Sequence, residues 1–127
     1  MKIIVDSDKS VDEVSRDLEA AVKKHKFGIL HVHDLQATLR SKGLEFDEAC
    51  RVFEVCNPHK AQTVLNDDLS LNMALPCRIS VWTEKGRTKI GMISPREMLA
   101  LLSDSASLKA VADEVEDVTR KIIEEAR

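Results

Sequence analysis

A chain of 127 residues is long enough for one domain and too short for two ordinary ones. Its 43% hydrophobic and 32% charged content is a globular mixture, and the core must be aliphatic, since there are three Phe, one Trp and no Tyr. A net charge of −3 and so few aromatics argue against nucleic acid, whose binding needs a basic surface or stacking platforms. No segment reaches the ~20 apolar residues that span a bilayer, and the apolar run within residues 1–6 is too short for a signal peptide. Three cysteines at irregular spacing do not make a disulfide framework. A cytoplasmic domain without nucleic-acid or membrane partners is the expectation.

Residues 2–6 are a short β-type run. Ser10-Val11-Asp12-Glu13 is a capping box, in which hydroxyl and carboxylate satisfy open N–H groups at a helix start. Val11, Val14, Leu18, Val22 and His25 then form a helical stripe. Lys23, Lys24 and Lys26 place positive charge at the negative end of that helix. Residues 27–33 alternate as a strand, with Phe27, Ile29, His31 and His33 on one face and Gly28, Leu30 and Val32 on the other. Asp34 can cap a short helix carrying Leu35, Ala37 and Leu39, which stops at Gly43.

Residues 50–56 form the next strand. Cys50, Val52, Glu54 and Cys56 share one face, and Arg51, Phe53 and Val55 the other. Asn57 then caps a helix with Pro58 at its first position and Ala61, Val64 and Leu65 along it, ending near Asn66. Residues 67–76 read as loop or edge strand: Leu69, Leu71, Met73 and Leu75 alternate, but Pro76 and two aspartates interrupt. Residues 77–84 and 87–93 are strands joined at Lys85-Gly86, a hairpin signal. Ser94-Pro95-Arg96-Glu97 is a second capping box, opening a short helix to about Ser103.

Leu108, Val111, Val115, Val118 and Ile122 step by 3, 4, 3 and 4, an a/d seam of about two heptads. Asp113, Glu114, Glu116, Asp117, Arg120 and Lys121 fall on the other faces. An amphipathic helix lying on a sheet explains this pattern. So does a seam that also meets a second subunit, which at this length would need further contacts.

Five segments, Phe27-Gly28-Ile29-Leu30, Asp34-Leu35-Gln36-Ala37-Thr38-Leu39, Cys56-Asn57-Pro58, Leu75-Pro76-Cys77 and Ser94-Pro95 with Met98-Leu99, resemble the family called domain of unknown function 302. The order and spacing match over nearly the whole chain. The resemblance implies a small, mostly prokaryotic α+β domain, often dimeric, with no established activity. The family's Cys-Asn-Pro falls on Cys56, Asn57 and Pro58, and its Leu-Pro-Cys on Leu75, Pro76 and Cys77. Where the family commonly has an acidic residue shortly before its Asp-x-x-Ala-Thr segment, this chain has His31-Val32-His33.

Cys56 is the first candidate for chemistry. It directly precedes the cap, so the partial positive charge of the helix N-terminus could favour its thiolate, the nucleophilic and metal-ligating form. The alternative is a small side chain packed at a strand end. Cys77 could join Cys56 in a reversible disulfide if their strands pair closely. Cys50 is roughly 20 Å away along the strand at ~3.3 Å per residue and cannot share that site. His31 and His33, alternate residues of one strand, could converge on a metal ion with Cys56, Glu54 or His59 as further ligands; otherwise they are two histidines on a sheet face. His59 could act as a base toward Cys56. There is no Cys-x-x-Cys, Gly-rich phosphate loop, nucleophile elbow or His-Glu-x-x-His.

The sequence therefore predicts one α+β domain over residues 1–127. Its single sheet of four to five strands is covered by an N-terminal helix and a long C-terminal helix. A ligand-binding or interaction module that assembles as a homodimer is expected, with a pocket near Cys56, Asn57, Cys77, His31 and His33. A thiol enzyme or redox protein using Cys56, and a metal protein using His31, His33 and a cysteine, are the alternatives. No cofactor is assigned.

Overall fold

The computed structural model describes all residues 1–127. The elements run β1 (Lys2–Ser7), α1 (Val11–Lys24), β2 (Gly28–Asp34), α2 (Leu35–Ser41), β3 (Cys50–Cys56), α3 (Pro58–Asp67), a 3-10 segment (Leu69–Ala74), β4 (Cys77–Glu84), β5 (Arg87–Ile93), α4 (Pro95–Leu102) and α5 (Ala106–Ala126). The five strands form one antiparallel sheet in the order β1-β5-β4-β3-β2. The α+β expectation is met.

The capping signals act as written. Ser10 Oγ accepts the Glu13 N–H at 3.1 Å, Asp34 Oδ1 accepts that of Ala37 at 2.9 Å, and Ser94 Oγ accepts that of Glu97 at 3.1 Å. The β4–β5 hairpin turns on Lys85 and Gly86, both at positive φ (52° and 78°), as a two-residue turn that follows the strand twist requires. The 67–76 stretch is neither loop nor edge strand. Asp68 caps the 3-10 turn that follows it, Leu71 is buried, and Leu69 and Met73 face outward.

Period-two alternation places Phe53, Val55, Ile79, Val81, Ile90 and Met92 on one sheet face. There they meet Val14, Leu18 and Val22 of α1 and Val115, Ile122 and Ile123 of α5. Each fully buried aliphatic side chain of this set stabilises the fold by about 1.5–3 kcal/mol relative to exposure. A second, smaller cluster of Val64, Leu71, Leu99, Leu108 and Ala112 joins α3, the 3-10 segment, α4 and α5. Within the α5 seam Val111 and Val118 are half-buried, while Leu108, Val115 and Ile122 are buried against its own domain. They are not available to a second subunit. The buried stripe is also wider than the seam and includes Ala112, Glu116 and Thr119, so Glu116 does not belong to the solvent face.

The opposite sheet face carries Ile4, Glu54, Val52, Ser80, Trp82 and Ile93, with Ile4 and Ile93 47% and 45% exposed. Gly91 is required there: a Cβ on it would lie 2.9 Å from the Ile3 carbonyl oxygen and 3.0 Å from the Trp82 ring.

Candidate functional site

Cys56 ends β3 and Cys77 begins β4. Val55 pairs with Cys77, so the two cysteines are neighbours across adjacent strands. Both are free thiols, and both line a cavity where the sheet ends and the two apolar clusters meet. Phe27 and Val55 come from the sheet side, Ala61 and Val64 from α3, Leu75 and Pro76 from the lead-in to β4, Met98 and Leu99 from α4, and Val111 and Val115 from α5. The cavity volume is about 40 Å³. One water needs about 10–15 Å³ of such volume, so the space suits a small apolar body.

Asn57 and Lys60 are the polar residues at the rim. Asn57 Oδ1 accepts the N–H groups of His59 at 3.0 Å and Lys60 at 3.2 Å, closing the start of α3. Lys60 Nζ is ion-paired to Glu114 of α5. The helix start therefore offers the thiols little free positive charge. Burial instead pushes the Cys56 thiol up from its ordinary value. Burial, and next the neighbouring Cys56, push Cys77 up to about 11. The expectation of a helix-activated thiolate at Cys56 is corrected by this geometry. His59 is exposed and lies outside the cavity, so it is not placed as a base toward Cys56. Cys50, at the far end of β3 opposite Trp82, is separate as anticipated; its thiol is pushed up by burial and then by Asp34.

His31 and His33 do not reach the cavity. The pairing register shifts between Ile29 and His31, a bulge at Leu30. One extra residue inverts the faces beyond it. Ile29 pairs with Val55 on the helix-covered face, whereas His31 pairs with Glu54 and His33 with Val52 on the opposite one. The two imidazoles meet edge to face with centroids 4.4 Å apart. His33 Nε2 lies 2.5 Å from Glu54 Oε1, and this hydrogen bond holds the Glu54 carboxyl below its ordinary value. No three His, Cys, Asp or Glu side chains come together to hold a metal ion. The expected His31/His33/Cys metal site is not formed.

A buried polar cluster adjoins the cavity and was not singled out by sequence. Glu116, 1% exposed, accepts from Ser94 Oγ, from the Arg96 N–H at 3.2 Å and guanidinium at 3.1 Å, and from Arg120 Nε at 3.1 Å. Burial pushes its carboxyl up, but the hydrogen bonds from Ser94, Arg96 and Arg120 outweigh that and hold it below the usual range. The one local signal is the Glu116–Arg120 spacing of four.

The whole of this architecture, residues 3–126, matches the family model described as Domain of unknown function DUF302. The chain belongs to that family. The crystal structure of uncharacterized conserved protein DUF302 from Bacillus stearothermophilus is similar to this DUF302 domain at 32% identity with a TM-score of 0.93. The match covers 99% of this chain and 98% of that one. No curated protein matches the chain. No helix of this DUF302 domain is long and apolar enough to cross a membrane.

Proposed function

We propose that this DUF302 domain is a binding module whose site is the Cys56–Cys77 cavity, and that its ligand there is a small, uncharged molecule with little need for hydrogen bonds. The carrying observation is a space lined by apolar side chains at the junction of two packed clusters. Interiors normally close such gaps, because unfilled space forfeits dispersion contacts. The protonated thiols and the occupied helix start favour binding over thiol catalysis. Three free cysteines support a reducing, cytoplasmic setting for this reading.

Xenon, a smaller apolar body than benzene, serves as the probe. Amide resonances of Val64, Leu75 and Val111 are expected to shift on its addition to the wild type. They should stay fixed in a folded Ala61→Leu variant, whose larger side chain occupies the space. Shifts scattered away from the cavity, or unchanged by Ala61→Leu, would sink the reading.

A second copy of the chain is the partner we favour. With Leu108, Val115 and Ile122 of the α5 seam used internally, such a copy would pack on the sheet face bearing Ile4, Trp82 and Ile93. Light scattering over a dilution series should give a dimer mass that Ile4→Lys reduces to the monomer. A monomer throughout in the wild type would rule the partner out.

A further inference from the structure

The β4–β5 ladder runs from the Glu84–Arg87 pair to the Ser80–Gly91 pair and stops, although both strands go on. β4 reaches back to Cys77 with β3 as its partner, Ile79 opposite Phe53, Arg78 opposite Glu54 and Cys77 opposite Val55. β5 reaches on to Ile93 with β1 as its partner, Met92 opposite Ile3 and Ile93 opposite Lys2. The sheet is therefore forked at this end. A groove of about 280 Å³ is lined by both arms of the fork. That is near the lower end of small-molecule sites, about 300 Å³. Arg78 and Ile79 come from one arm, Met92 and Ile93 from the other, and Leu75 and Met98 add to the wall. Met73 stands 84% exposed at the groove.

Arg78 is the only charged residue of this lining. The one hydroxyl, that of Thr119, is spent on the Val115 carbonyl at 2.8 Å. Arg78 is exposed and also lines the shallow hollow over Ser80 and Gly91 on the uncovered sheet face, so it stands where the two spaces meet. Glu54, across from it on β3, is bonded to His33 instead, and Arg78 enters no ion pair. Lys2, the second cation of the hollow, enters none either. In a chain of net charge −3, no carboxylate lines groove or hollow.

An apolar groove that ends at a guanidinium without a counter-ion is complementary to an apolar body carrying one negative charge. A planar carboxylate suits that guanidinium, which can meet it with two parallel N–H donors. We propose that the fork groove binds a small aliphatic carboxylate, its chain against Ile79, Met92 and Met98 and its head on Arg78, with Lys2 adding attraction at longer range. The site goes beyond the apolar-ligand reading and does not rest on it. The two spaces share only the wall of residues 74–77, Pro95 and Met98. The inner one has no free cation, because Lys60 is paired to Glu114.

Octanoate, kept well below the concentration at which it forms micelles, is the probe in calorimetric titration and amide NMR. One equivalent should bind and shift the resonances of Ile79, Met92 and Met98. Affinity should rise about threefold to fourfold for each CH₂ from butanoate to octanoate, the worth of a buried methylene. Arg78→Gln should weaken octanoate by about tenfold or more, and Arg78→Lys by less. 1-Octanol, with the same chain and no charge, should bind the wild type more weakly than octanoate does and should not distinguish Arg78→Gln from it. Octanoate held equally by Arg78→Gln, octanol held as tightly as octanoate, or shifts centred on Val64 and Val111 would overturn the site. The xenon experiment reads the inner cavity on its own, so either site can fail without the other.

Discussion

The Glu116 cluster and the Cys56–Cys77 cavity are both built from α4 and α5, and they handle buried polar atoms in opposite ways. Around Glu116 the carboxylate meets Ser94, Arg96 and Arg120 with hydrogen bonds, and no buried side-chain nitrogen or oxygen in the domain lacks a partner. Such matching is what a stable fold demands of an ion removed from water. In the cavity, two cysteines border an unfilled and largely apolar space. Thiols are weak donors, and leaving them unpartnered costs little. The polar cluster therefore has a complete structural explanation, whereas the cavity has atoms and volume that packing alone does not use.

The sharpest way to break this contrast is Glu116→Ala. It strands the Ser94 hydroxyl and the Arg96 N–H in a buried place, and should cost roughly 2–3 kcal/mol of stability. Urea denaturation measures it; a loss below about 0.5 kcal/mol, the level of an ordinary surface change, would contradict the structural role. The same residue carries an acid limb. Its folded carboxyl is held below the unfolded value, so its contribution is complete above about pH 4.3 and is lost as pH falls through the folded value. Glu116→Gln should flatten that limb without abolishing it, because Asp6, Glu54 and Glu125 are also held low by Lys89, His33 and His25. An unchanged acid limb in Glu116→Gln would assign the loss to those other pairs.

The two regions also differ in how far they could be read from sequence. Ser10, Asp34, Asn57 and Ser94 announced their helices because capping is local, with donor and acceptor within three residues. Strand alternation placed Phe53 and Val55 on one face for the same reason. The bulge at Leu30 left no local mark, yet it carried His31 and His33 to the far side of the sheet. Cys56 and Cys77 were legible as neighbours only on condition that β3 and β4 pair. The rest of the cavity, from Val64, Met98 and Val111, depends on tertiary packing. Glu116 was hidden differently: a glutamate on a charged helix looks solvated until Ser94 and Arg96, about twenty positions away, are brought against it.

A smaller effect sharpens the contrast from the cavity side. Asn57 sits between the thiols and the start of α3, and its side-chain oxygen accepts two helix N–H groups. Asn57→Ala should lose about 1 kcal/mol, the worth of an ordinary cap. It should not, however, convert Cys56 into a reactive thiolate, because burial is what raises this thiol. The pH midpoint of Cys56 alkylation, followed by mass spectrometry, is therefore expected to stay above that of a free thiol in both wild type and variant. A midpoint falling below it in Asn57→Ala would mean that the cap, and not the apolar wall, keeps the proton on sulfur. The cavity would then be a thiol site held in check by one asparagine, and its likeness to the quiet, fully satisfied Glu116 cluster would be closer than the geometry implies.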